Sequence, residues 1–498
     1  MDKTELLKYL NRAIGTPGNC IAVSHARRFG KSHAAGMIDA YYSLGSDSAK
    51  LFKGTKIASD PDYEKYRNKY NVIHLDISSF WDFHKKDIVE KIIEDIFKEL
   101  KMDYPEEFNE RDRISYVLIK IYEKTGIPFV IIIDEWDCVV RNSTDQDLIH
   151  QYLQFLHSLF KSEESKSFLA LGYITGIMPI KKIKDESALN NFEEYTMLKS
   201  RPITKYYGFT EEEVKDLCKR YDMDFETTKE WYNGYLIDGM HMYNPNSVSQ
   251  AMKYHDFDSY WRNTSAFGTI NNFIMMNYSG LKEDVLTMLS GGKVMVDTEC
   301  FQNDLAEIHS KDDALTALIH LGYLGYDADM LSAYIPNYEV AKAFQSALKT
   351  GEWKDVAASI SKCDTLLMAT ISGNTEKVAE LIELAHDTYT SILKYNDENS
   401  LSCVLTMAYF TAPAYYTIIR EMPAGKGFAD FVFLPRANAG NRPAMIVELK
   451  YNQSADTVIR QIKEKRYQGA LSGYESKILL VGISYDSEKH HTCSIEEW

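Results

Sequence analysis

Cysteine is scarce in this sequence and badly placed for cross-linking. Seven stand at positions 20, 138, 218, 300, 363, 403 and 493, an odd number with no CxxC pair. That argues against a disulfide framework or a zinc knuckle and fits a reducing compartment. Long apolar runs are missing as well. Phe129–Ile133 falls far short of the ~20 residues a membrane helix needs, so no membrane partner is expected. The opening stretch MDKTELLKYLNRAIG carries charges where a signal peptide has an apolar core. We therefore expect a cytoplasmic protein. Positive charge is in deficit: 56 Lys and Arg against 72 Asp and Glu leave a formal net charge of −16. This excludes a surface coated in basic residues for nonspecific nucleic-acid binding, but not a local basic groove. Internal repeats are also missing. Residues 366–385 superficially resemble an ankyrin unit, yet no second copy follows at a fixed period, so they read as a helix pair.

What is present is an alternation of strand-like and helix-like segments. The chain has 498 residues, too many for one core, and about three domains are expected. We place them at 1–266, 267–385 and 386–498. Cys20–Ser24, Asn71–Ile77, Pro128–Asp134 and Phe168–Thr175 read as strands, with helical spacing between them. That pattern implies a parallel α/β sheet. The middle is mostly helical, interrupted by a helix, hairpin, helix order over 313–344. In the last part, Gly427–Leu434, Ala444–Lys450 and Lys477–Ser484 read as strands and Thr457–Leu471 as a helix.

Gly30-Lys31-Ser32 lies between the first strand and its helix. A phosphate-binding loop needs backbone N–H groups around the phosphates, a Lys for the β/γ oxygens and a hydroxyl for Mg²⁺. The helix N-terminus adds a favourable dipole. His25 occupies the place where such loops usually begin with Gly. About a hundred residues on, the buried run Phe129–Ile133 ends in Asp134-Glu135. Asp134 can hold Mg²⁺ and Glu135 can prepare the attacking water. Thr175 is a candidate sensor of the γ-phosphate. Arg27 and Arg28 can contact phosphate or a neighbouring subunit, and Phe29 and His33 complete the candidate nucleotide loop.

A second set of residues suits metal-dependent phosphodiester cleavage, which needs carboxylates around a divalent cation. Asp430 lies on one strand, and Glu448 and Lys450 lie two apart on the next, hence on one face. From 441 to 470 there are six Lys or Arg against three Asp or Glu, a basic face that suits a phosphate backbone.

HARRFGKS at 25–32, IIIDEWD at 131–137, TGIMPI at 175–180, GFTEEEV at 208–214, WYNGY at 231–235, YNPNSV at 243–248 and YWRNTS at 260–265 occur in that order. With GFADFVFL and AMIVELK they resemble the bacterial AAA-ATPase-like proteins that carry a C-terminal PD-(D/E)xK nuclease-like domain. The resemblance implies a P-loop NTPase sheet, a winged-helix-like element near 321–340 and a restriction-endonuclease-like C-terminal domain. In that family the loop commonly lacks its first Gly. The resemblance also implies a metal-binding role for Glu398, a site role for Gln461 and an oligomer in which a neighbour's arginine can act.

The combined expectation is an ATP-binding, ATP-hydrolysing protein with a Mg²⁺-dependent nuclease centre acting on DNA, with RNA not excluded. Lys31 and Ser32 hold phosphates and Mg²⁺. Asp134, Glu398, Asp430 and Glu448 are the carboxylate metal candidates. The alternative is an ATP-driven switch whose C-terminal domain binds nucleic acid or protein without cutting, in a role such as phage defence.

Overall fold

Four of the apolar runs become neighbouring strands of one sheet. The computed structural model describes residues 1–105, 112–180, 189–260, 270–273, 276, 278–299, 301, 308–350, 362–393, 404–424, 427–436, 441–465, 477–487 and 490–498. Strands β1 (Cys20–Ser24), β2 (Asn71–Asp76), β3 (Phe129–Asp134), β4 (Leu169–Gly176) and β5 (Glu193–Thr196) form a parallel sheet. Its order is β2-β3-β4-β1-β5. One strand, β4, therefore separates the strand before the candidate phosphate loop from the strand that ends in Asp134. The short polar strand β5 carries no apolar run and escaped the sequence reading.

β3 shows why the sheet is buried on both sides. Phe129, Ile131 and Ile133 join one core cluster, while Val130 and Ile132 join the other. The first cluster is closed by helices Ile88–Asp103, Ile114–Thr125 and Gln146–Phe160. The second is closed by helix α1 (Lys31–Tyr42), through Ala35, Ile38, Tyr41 and Tyr42. A continuous β-branched run satisfies two apolar faces at once. Each such side chain contributes ~1.5–3 kcal/mol on burial.

A small antiparallel sheet follows, with β6 (Phe209–Thr210), β7 (Tyr235–Ile237) and β8 (Met240–Tyr243) in the order β6-β8-β7. The GFTEEEV motif is a capping box: the Thr210 side chain accepts from Glu213 N while Glu213 reaches back to Thr210 N. YNPNSV starts helix α2 (Pro245–Tyr254), with Asn244 as its cap and Pro245 in the first turn. Helix Lys311–Leu321 and hairpin strands β9 (Gly325–Asp327) and β10 (Ser332–Tyr334) follow, and then helix Tyr338–Thr350, in the expected order.

The last sheet is mixed. β11 (Tyr416–Ala424), β12 (Gly427–Pro435), β13 (Ala444–Tyr451), β14 (Ile478–Tyr485) and β15 (His491–Glu497) pair in sequence order. Only β13 and β14 are parallel; helix α3 (Ala455–Glu464) lies between them in the chain. The expected helix from Glu398 lies partly outside the described residues; Val404–Ala408 is helical. In the sequence, His490-His491 near the C-terminus reads as a solvated tail rather than a metal site. Instead His491 opens β15 and is buried, its Nε2 2.9 Å from Nδ1 of the buried His386. Pairing with β14 draws it inward.

The chain divides into two compact units, Met1–Tyr260 with Met295–Pro336, and Trp261–Val294 with Asn337–Trp498. No helix among the described residues is long and apolar enough to cross a membrane.

Candidate functional site

In the first unit, β1, β3 and β4 end at the same level. Val23 pairs with Thr175, Ser24 with Gly176, and Ile133 with Ile174. The C-terminal ends of parallel strands, followed by helix N-termini, are where such sheets bind ligands.

The loop from His25 leads to Gly30, which caps α1 at φ 91°, a left-handed conformation that disfavours any side chain. His25 itself is fully buried. Its N donates to Gly176 O at 3.1 Å, its ring bonds Ser200 Oγ, and it packs on Tyr207. Burial pushes the imidazole down to about 3, so it is neutral. Residue 25 thus continues the strand pairing, and the left-handed turn falls on Arg28 at φ 68° instead. That is the physical reason the loop manages without Gly at 25.

Lys31 is 6% exposed and folds back over the loop, donating from Nζ to His25 O (2.8 Å) and Ala26 O (2.9 Å). An ammonium has three donors, so one is left for a phosphate oxygen. Burial pushes this lysine down to about 8, opposed by the charges of Glu135, Asp137 and Asp134. Ser32, His33 and Arg27 are exposed at the loop and helix start, and Arg28 Nη1 donates to Tyr260 O at 3.0 Å. The Phe29 side chain is fully buried against Tyr235, which leaves only its backbone facing the loop.

Asp134 is buried at the end of β3. Its Oδ1 accepts from the Thr175 hydroxyl and from Glu135 N (3.1 Å). The strand's end and the candidate sensor are thus brought together. Glu135 is left-handed (φ 52°) and turns toward Arg141, with Oε2 3.5 Å from Nη2. Burial raises its pKa, with Arg141 opposing. Arg141 Nε also donates to Asp137 Oδ2 (3.0 Å), which accepts from Ile177 N (3.2 Å) and Met178 N (3.0 Å). Asp137 and Arg141 were missed by sequence reasoning. Their four-residue spacing within DEWDCVVR was the available signal. Gly176 is needed where β4 passes under Trp136, because a Cβ there would lie 2.5 Å from the indole Nε1.

In the second unit, β12 and β13 bring Asp430 beside Glu448. Leu449 N donates to Asp430 Oδ2 at 2.8 Å, and Asp430 N donates to Glu448 Oε2 at 3.3 Å. Lys450 Nζ lies 3.4 Å from Glu448 Oε1. Glu448 is 1% exposed, and burial, then the charge of Asp430, pushes it up to about 7 despite Lys450. Gly482, the register partner of Glu448, lets α3 approach: a Cβ there would meet Ala455 O at 2.7 Å. Gln461 is half-buried on α3, which packs Val458, Ile459 and Ile462 inward. Glu398 lies outside the described residues. Among the described residues no three His, Cys, Asp or Glu gather as a metal cluster. The two oxygen donors fit a hard divalent cation that keeps most of its waters, and such a cation would relieve the crowding of two carboxylates.

Comparison with known proteins bears on both sites. Residues 1–184 match the family model described as "Predicted AAA-ATPase", and residues 396–498 match that of the PD-(D/E)XK nuclease superfamily. The chain therefore joins an AAA-ATPase-like region to a PD-(D/E)XK nuclease-like region. An Azotobacter chroococcum mcd 1 protein, described as an uncharacterized protein in the vnfD 5′ region, is 23% identical over 249 residues. The match takes in 49% of this chain and 46% of that protein, so the chain spans about half the relative's length. The solved Aeropyrum pernix ORC2 protein (ADPNP–ADP complexes) aligns over 69% of this chain and 90% of its own. At 9% identity and a TM-score of 0.28, that likeness carries no argument.

Proposed function

We propose that the N-terminal region binds and hydrolyses ATP and that the C-terminal region cuts nucleic acid, DNA first and RNA second. In this reading 1–266 is the nucleotide module, 267–385 a connecting region with a winged-helix-like hairpin, and 386–498 the nuclease. Lys31 neutralises phosphate charge, and Ser32 and Asp134 hold Mg²⁺. Thr175 fixes Asp134, and Glu135 orients the attacking water. Asp430 and Glu448 hold a divalent cation, Lys450 neutralises developing charge, and Gln461 borders the substrate path. The bound cation supplies Lewis-acid stabilisation of the phosphoryl oxygens.

One observation carries the proposal. Residues from separate strands are brought together in each set: the strand before the Lys31 loop ends level with Thr175, whose hydroxyl bonds Asp134 at the neighbouring strand end, and Asp430 bonds the strand of Glu448. A second reading, nucleic-acid or protein binding without cleavage, draws on the two carboxylates being already engaged by protein groups, Asp430 Oδ2 by Leu449 N and Glu448 Oε1 by Lys450 Nζ.

The test is a cleavage assay on plasmid, linear and single-stranded DNA and on RNA, with Mg²⁺ or Mn²⁺. Each substrate is run with and without ATP, and with the Glu448→Ala variant. Cleavage lost in that variant supports the nuclease. Binding without cleavage in every condition supports the second reading and removes the first.

A further inference from the structure

Four motifs outside the phosphate loop have no part in the chemistry above, yet each contributes one contact to three consecutive loop residues. Gly208, from GFTEEEV, donates its N–H to Phe29 O at 3.0 Å. Tyr235, from WYNGY, meets the Phe29 ring edge-on at 5.2 Å between centroids. Asn244, from YNPNSV, donates Nδ2 to Arg27 O at 3.4 Å. Tyr260, which opens YWRNTS, accepts from Arg28 Nη1 at 3.0 Å. The fit is close. A Cβ on Gly208 would stand 3.1 Å from the Phe29 ring and 3.2 Å from Tyr243 O, and φ there is 89°.

The hydrogen bonds have a direction that matters. Lys31 binds the carbonyls of His25 and Ala26, Asn244 binds that of Arg27, and Gly208 binds that of Phe29. Four loop carbonyls are thus held by donors. A loop with its carbonyls engaged keeps its N–H groups for an anion. Asn244 has two jobs, because its Oδ1 also accepts from Asn246 N and Ser247 N at the start of α2. One buried side chain therefore ties the first turn of α2 to the phosphate loop.

We propose that the segment 208–260 is a clasp that responds to occupancy of the phosphate loop, with Asn244 as the positioning residue that links them. This rests on the reading of the loop as an ATP site and names how that site is shaped and reported. Filling the loop with a triphosphate fixes the carbonyls on its outer side and tightens the clasp. Emptying it loosens β6 and the first turn of α2.

The test uses the full chain with Mg²⁺-ATP, measuring affinity by calorimetry, melting temperature, and amide exchange over 208–210 and 244–247. Asn244→Ser keeps the oxygen that caps α2 and loses the amide that reaches Arg27 O. We expect it to melt like wild type and to bind ATP about three- to tenfold more weakly. In wild type, ATP slows exchange at both stretches, and in Asn244→Ser it no longer does so at 244–247. Wild-type affinity and wild-type protection in Asn244→Ser would overturn the proposal, leaving Asn244 as a helix cap only. Lys31→Ala separates the two levels. If it binds ATP like wild type, the ATP-site reading fails and the clasp fails with it. If Lys31→Ala loses ATP while Asn244→Ser keeps wild-type affinity and wild-type protection, the clasp alone fails.

Discussion

Each candidate site is built on a carboxylate pair, and the two pairs are assembled in different ways. Asp134 and Glu135 are adjacent at the end of one buried parallel strand, so they point apart and find separate partners, Thr175 and Arg141. Asp430 and Glu448 come from two antiparallel strands, so they face each other, with Lys450 beside Glu448. The first pair is already satisfied by protein groups. The second is crowded, and burial and mutual repulsion hold Glu448 up to about 7. In the proposed reading the two sites therefore differ in what they are sensitive to: the first to loss of its supports, the second to loss of a cation.

The largest expected effect is at the second pair. Glu448→Ala should reduce divalent-dependent cleavage at least about a hundredfold, read as product per unit time, because it removes half of the oxygen pair that would hold the cation in the proposed centre. Unchanged cleavage would remove that pair from the chemistry. Next comes Arg141→Ala, which leaves the buried Asp137 without its guanidinium and frees Glu135. Removing one partner of a buried pair costs about 3–5 kcal/mol, seen as a lower denaturation midpoint. An unchanged midpoint would mean the network holds nothing.

The pH dependence of stability separates the pairs more finely. Glu448 has a folded-state value of about 7, above the ~4.3 of an unfolded Glu. Its contribution is fully present below ~4.3 and is lost as pH rises through about 7. In chelator, the second unit should therefore lose about 1–3 kcal/mol across that window. Glu448→Gln should flatten the loss, and Mg²⁺ at pH 8 should restore stability to wild type but not to the variant. An effect of similar size is expected for Gly176→Ala, whose Cβ would crowd Trp136 and Asp137. A cost of about 1–3 kcal/mol with the cleavage centre intact is expected.

The two sites were also legible to different degrees. The candidate phosphate loop and the Asp134-Glu135 strand end stand out in the sequence because they are contiguous and flanked by apolar strands such as Phe129–Ile133. Glu448 and Lys450 were readable by period-two spacing, and Asp430 by its place on the preceding strand. His25 looked like a defect in the motif because its burial against Ser200 and Tyr207 depends on residues far along the chain. Asp137 and Arg141 were missed for the same reason: their role appears only when Ile177 and Met178 reach Asp137. β5, β11 and β15 have too little apolar alternation to announce themselves, since sheet pairing rather than local pattern fixes them. His491 was read as tail because nothing local signals that His386 covers it.

Two separate phosphate chemistries in one chain predict a clean split in a single crossed measurement. Phosphate release from ATP and cleavage of nucleic acid are followed together for wild type, Lys31→Ala and Glu448→Ala. Lys31→Ala should lose phosphate release, and Glu448→Ala should lose cleavage while releasing phosphate at the wild-type rate. Phosphate release that survives Lys31→Ala, or cleavage that survives Glu448→Ala, would contradict the account.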